Sequence, residues 1–136
     1  MRTPILWLEI PVADIPRATT FYEKLLNTTL EFKTLFDTPM ALFNKDVFGM
    51  KASLVKKENY QGSNGIKPII LIDIMADGIA NVAKFGGKII QEPTLLRQKN
   101  KNGDIIIGTN LIDGQVGYYA EIQDSEGNHC YLYSHS

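Results

Sequence analysis

The sequence predicts an α+β fold in which two βαβββ modules form a curled mixed sheet around a cleft. Three observations predict it. The chain echoes itself: LWLEIPVAD-IPRATTFY at 6–22 returns as IILIDIMAD-GIANVAKF at 69–85. Short segments of strand character follow each copy. The length, 136 residues, suits one domain able to bury a sizeable core.

The elements follow in order. Trp7, Leu8, Ile10 and Val12 make an apolar strand interrupted by one acid, Glu9. Asp14 is an N-cap, because its carboxylate accepts from the free amides of a first helical turn and meets the positive end of the dipole. Pro16 sits where a missing N–H costs nothing. Ile15, Ala18, Tyr22 and Leu25 recur at helical spacing, and Asn27 closes the helix. Strands are expected at Thr29 to Phe36, Met40 to Phe43 and Ala52 to Val55. GSNG at 62–65 reads as a flexible joint, which divides one domain, 1–136, into modules 1–61 and 66–136. In the second module Asp77 is the equivalent cap, Ile79, Val82 and Ala83 form a shorter stripe, and Gly86-Gly87 ends the helix. Strands are expected at Lys88 to Glu92, Gly117 to Ile122 and His129 to Tyr133, with DSEGN at 124–128 as the turn before the last. The stretch from Pro93 to Gly117, with an apolar piece at Ile105 to Ile107, predicts an extra hairpin or a lid.

Composition narrows the function classes. The formal net charge is −1, from 14 basic and 15 acidic residues, with no long basic run, so nucleic acid is not the expected partner. A single cysteine, Cys130, forms no internal disulfide. Glu9 and Pro11 interrupt any leader-like apolar stretch, and no run reaches bilayer length. The expectation is a cytoplasmic protein without membrane contact. P-loop, CxxC, HExxH and GxSxG patterns are absent from the sequence.

WLEIPVADIPRATTFYEKLL near the start and GYYAEIQDSEGNHCYLYS near the end carry a resemblance. They resemble the vicinal-oxygen-chelate superfamily, the glyoxalase, bleomycin-resistance and extradiol-dioxygenase group, and within it a glyoxalase-like branch. The resemblance implies the two-module fold, a homodimer through helices or edge strands, and a cleft that commonly holds a divalent metal. Its ligands would come from the first and last strands of each module. The matching positions here are Trp7, Leu54 and its neighbours, Ile69 and Tyr131. Trp and Ile coordinate no cation, so no cofactor and no metal are expected at the usual place. A displaced site built from Glu9, Glu121 and His129 is the alternative.

Strand alternation then assigns faces. Glu9 shares the cleft side with Ile5 and Trp7, while Leu6, Leu8 and Ile10 pack on the helices. His129, Tyr131 and Tyr133 share the cleft side of the last strand, Cys130 and Leu132 its other side. Tyr119 and Glu121 line the cleft from the preceding strand. Glu9 and His129 are therefore the catalytic candidates, and Trp7, Tyr119, Glu121 and Tyr131 the ligand-binding ones. Each has a plainer reading: Glu9 as a paired acid, His129 as a solvated strand end, and the rings as packing.

The expected function is binding of a small molecule in the cleft without the usual metal. The alternatives are a metal-independent isomerase or lyase moving a proton with Glu9 or His129, and a metal-dependent glyoxalase-like or dioxygenase-like enzyme with displaced ligands. A partner protein retaining only the scaffold is the third class.

Overall fold

The computed structural model describes residues 5–35, 37–99, 101–106 and 110–136. Phe36 and Ile107, expected at the ends of apolar segments, lie outside the described residues.

Strand β1 (Trp7–Val12) leads into helix α1 (Ile15–Leu26), then β2 (Glu31–Leu35), β3 (Thr38–Leu42), the one-turn helix α2 (Lys45–Phe48) and β4 (Lys51–Lys56). The second half runs β5 (Ile69–Leu71), α3 (Met75–Lys84), β6 (Lys88–Leu95), a small hairpin β7 (Gln98–Lys99) and β8 (Ile105–Ile106), then β9 (Tyr118–Gln123) and β10 (His129–Ser134). One sheet has the order β1-β4-β3-β2 and the other β5-β10-β9-β6. In both, the first strand of the half lies at an edge, parallel to the last, and the remaining pairs are antiparallel. The duplication read from the sequence is thus a duplication of topology. The hairpin expected between 93 and 117 is β7–β8; the short helix α2 was not foreseen.

The first helix forms as its sequence dictates. Asp14 accepts a 2.8 Å bond from the Arg17 amide, proline occupies the first turn, and Asn27 ends the helix in the left-handed region at φ 50°. The second helix departs from expectation. It starts at Met75, so Asp77 lies inside the first turn and caps nothing. The Met75 amide is instead taken by the Ser136 carbonyl at 2.9 Å, and Asp77 meets the helix dipole from within the turn. Its buried residues are Met75, Gly78 and Val82, while Ala83 is exposed. Leu6, expected on the helix side, precedes β1 and is exposed.

Helices α1 and α3 touch each other and cover one face of both sheets, so a single core joins the halves. Val12, Phe21 and Leu54 from the first half meet Val82, Ile122 and Leu132 from the second. A chain of edge-to-face rings, Phe21–Tyr22–Phe43–Phe48, runs through the first module at 5.0–5.5 Å between centroids.

The turn after β9 fastens the halves together. The Glu126 side chain has no exposed surface. It accepts from the amides of Ala13 and Asp14 at 3.0 and 2.9 Å, from Arg17 Nε and Nη2 at 2.8 Å each, and from Ser125 Oγ at 2.8 Å. Asp124 accepts from the buried Tyr22 hydroxyl at 2.6 Å, and from the Glu126 and Asn128 amides at 2.8 Å. The DSEGN turn therefore holds the entry of α1 from the other module.

The GSNG joint is also tied down. Ser63 bridges Asn128, its amide donates to Gly127 O at 3.3 Å and its carbonyl accepts from the His129 amide at 3.0 Å. Gly62 has φ +100°, and a Cβ there would lie 2.4 Å from the Gly127 carbonyl oxygen, so only glycine fits.

Burial pushes the Glu126 carboxyl up, but the bonds from Arg17, Ser125 and the Asp14 amide outweigh it and hold the group below the usual range. Its contribution to stability is present in full above an unfolded-state value near ~4.3 and is lost as pH falls through the lower folded value. Glu126→Ala is expected to cost about 2–4 kcal/mol in urea unfolding, because two backbone amides lose their acceptor. Glu126→Gln is expected to flatten the loss of stability on acidification; an unchanged acid limb counts against this assignment.

Candidate functional site

Side chains on the faces turned away from the helices carry the candidate chemistry. In the first sheet, register places Trp7, Glu9, Ser53 and Met40 on that face and Leu8, Ile10, Ala41 and Leu54 against the helices. Trp7 Nε1 donates to Ser53 Oγ at 3.0 Å. Trp7, Glu9, Leu35, Thr38 and Met40 line a hollow of about 280 Å³. Among the described residues no hydrogen bond or ion pair engages the Glu9 carboxylate.

A larger cavity, about 520 Å³, lies between β1 and the segment leading into β5. Leu8, Ile10, Pro11, Ile66 and Pro68 give it mainly apolar walls, and Glu9 and His129 both border it. Tyr60 and Asn128 bond to each other on the same wall, and Asn128 Nδ2 donates to the Pro11 carbonyl at 2.9 Å. The structure thus brings the two catalytic candidates to one cavity.

His129 is not a free imidazole. Gln123 Nε2 lies 2.9 Å from its Nε2, and Glu121 Oε2 lies 3.0 Å from its Nδ1. An amide nitrogen only donates, so Nε2 accepts and the proton of the neutral ring sits on Nδ1, facing the carboxylate. Lys67 Nζ reaches the same Glu121 oxygen at 3.2 Å and stands 5.4 Å from the centroid of the Tyr131 ring. The bond from His129, joined by that from Lys67, holds Glu121 below the usual carboxylate range against the effect of burial. The bond to Glu121 in turn raises the Lys67 ammonium. Tyr119 and Tyr131 are tilted neighbours at 6.3 Å, and Gln91 Nε2 donates to the Tyr119 hydroxyl at 3.0 Å.

The six candidates therefore fall into two groups. Tyr119, Glu121, His129 and Tyr131 form one cluster on the second sheet. Trp7 and Glu9 form another on the first, and only Glu9 and His129 share a cavity. Lys67 was missed. The signal was available: it lies two residues before Ile69, and so shares the side of that strand which pairs with Tyr131.

Tyr133, also expected in the cleft, is buried beneath residues 110–117. Asn110 Nδ2 donates to its hydroxyl at 2.8 Å, and the hydroxyl donates to Asp113 at 2.7 Å. His135 Nε2 is 2.6 Å from the other Asp113 oxygen. This strap is the second part of the long connection, and it covers the far end of β10.

The positions implied for a divalent metal do not fit one. Trp7 offers an N–H already given to Ser53, Leu54 lies in the core, Ile69 has no donor atom and Tyr131 offers a phenol. The displaced alternative fares no better: His129 has both nitrogens engaged, and no group of three His, Cys, Asp or Glu is arranged for an ion among the described residues.

No family model and no curated protein matches the chain. Solved structures do. A glyoxalase/bleomycin resistance protein from Albidiferax ferrireducens T118 superposes with a TM-score of 0.63 at 15% identity, over 97% of this chain and 99% of that one. The fosfomycin resistance protein FosX from Listeria monocytogenes gives 0.63 at 12% identity, over 100% and 96%. A glyoxalase I variant from Zea mays gives 0.64 at 19% identity, over 97% of this chain but 47% of that one. At these identities the likeness is one of fold.

Cys130 faces the core, and burial pushes its thiol up to about 12. It is expected to stay unmodified by an aromatic disulfide reagent at pH 8 in the native protein and to react only on unfolding. Rapid native labelling would remove it from the core side of β10.

Proposed function

Starting from the two-module vicinal-oxygen-chelate fold, we propose that the cleft binds a small, largely apolar molecule without a metal, and that Glu9 receives a cationic or hydrogen-bond-donating group on it. One observation carries this reading: an exposed carboxylate with no partner among the described residues borders a mainly apolar cavity of about 520 Å³. An acid so placed is left to be satisfied by water or by a ligand, and a ligand that expels water strengthens the attraction. The volume lies within the range of small-molecule sites. The neighbours of like fold include bleomycin- and fosfomycin-resistance proteins by name, which supports a small molecule as the occupant.

The alternative, metal-independent proton transfer, rests on Glu9 rather than His129. A base needs an open lone pair, and only Glu9 offers one. In either case Glu9→Gln is decisive. In calorimetric titration with an aromatic cation such as naphthylmethylammonium, the substitution is expected to weaken binding about tenfold, or ~1.4 kcal/mol, at unchanged melting temperature. Equal affinity for both proteins, or a large loss of stability, rejects the assignment and makes Glu9 a structural acid.

The fold also supports a homodimer. Strands β1 and β5 are sheet edges, and Ile69 and Leu71 on β5 are exposed. Pairing two such edges removes an aggregation hazard. Light scattering is expected to give twice the chain mass, and a monomer at micromolar concentration rejects the pairing.

A further inference from the structure

The second sheet carries three charged or titratable side chains, Lys67, Glu121 and His129, each largely but not fully covered, on a face that the core does not use. Holding charges out of water is costly unless each is matched, and a matched network on a face outside the core is a candidate site. Lys67 has three N–H donors and gives one to Glu121. That bond is expendable, because the same Glu121 oxygen is also held by His129 Nδ1. If the ammonium turns away, the carboxylate keeps a charge-assisted partner. Beneath the ammonium lies the Tyr131 ring, and beside that ring the Tyr119 ring, its hydroxyl fixed by Gln91.

We infer that Lys67 is an anion-binding group on the helix-distal face of the second sheet, joined to the cavity through Glu121 and His129, and that the ligand class is a small aromatic carboxylate whose acid meets the Lys67 ammonium while its ring lies against Tyr131 and Tyr119. The inference deepens the reading of a metal-free binding cleft and rests on it. It also follows from the misfit of the metal positions. Tyr131 and Ile69 are paired neighbours on adjacent strands, and Lys67 stands beside them, so the positive charge available to a ligand oxygen there is the side chain's own. His129 acts as a positioning residue, since it holds Glu121 while Lys67 is given over to the ligand.

The test uses 2-naphthoate, its neutral amide and naphthylmethylammonium as probes, each titrated calorimetrically into the wild-type protein, Lys67→Met, Lys67→Arg and Glu9→Gln. Wild type is expected to prefer the carboxylate to the amide at least tenfold. Lys67→Met should abolish that preference, Lys67→Arg should keep it within about threefold, and Glu9→Gln should leave it intact. The carboxylate–amide comparison in wild type stands even if Lys67→Met fails to fold. A wild-type protein that binds the cation but not naphthoate overturns the role of Lys67 and leaves the cleft reading standing. Naphthoate binding that is indifferent to Lys67→Met also overturns it. Failure of all three probes overturns both.

Discussion

The buried carboxylate of Glu126 is the contact on which the molecule turns. It sits in the turn between the last two strands, yet four of its five bonds reach across to the entry of the first helix. Those bonds satisfy backbone amides at the point where chain direction changes, and such amides have no partner inside the helix itself. With Asp124 gripping Tyr22, the turn sets where β10 begins relative to the end of β1. The cavity shared by Glu9 and His129 lies in the space that this spacing leaves.

The two sheets have diverged in character while keeping one topology. The helix-distal face of the first mixes apolar and polar side chains, with a tryptophan bonded to a serine and Glu9 without a partner among the described residues. That of the second is a connected polar chain running from Lys67 through Glu121 and His129 to Gln123. A connected chain of this kind restricts the orientation of each member, because each is bonded to its neighbour. The first sheet thus offers a group waiting for a partner. The second offers an orderly set in which only the lysine can be released without leaving a buried charge alone.

Much of the fold was legible because it rests on local rules. Alternation gave the faces of Glu9, His129, Tyr131 and Cys130, and capping chemistry gave the limits of the first helix. Reading failed where a distant partner replaced a local one. Asp77 looked like Asp14, but the helix begins two residues earlier, at Met75, whose amide is taken by the Ser136 carbonyl from the far end of the chain. DSEGN read as a turn, and its geometry is that of a turn, but nothing in its neighbourhood announces that Glu126 serves Ala13 and Arg17. The site was half legible for the same reason. Parity supplied the residues of each strand, whereas the assignment of Glu9 and Tyr131 to separate clusters depends on how two sheets sit against each other. Lys67 was overlooked because the segment ahead of a three-residue strand reads as a loop until Ser63 and Pro68 are seen bonding along β10.

The glycine contact between the connector and the final turn bears on how copies of this chain can associate. Proteins built from two similar halves are prone to exchange them, one chain lending a half to another through an extended hinge. Here the hinge is already a strand extension, with Gly62 packed backbone to backbone on Gly127 and Ser63 bonded along β10. To exchange halves, the connector would first have to peel from the sheet and give up this close approach of two backbones. Exchange of halves would therefore cost these contacts, and it would part Leu8 and Glu9 from His129, which border one cavity.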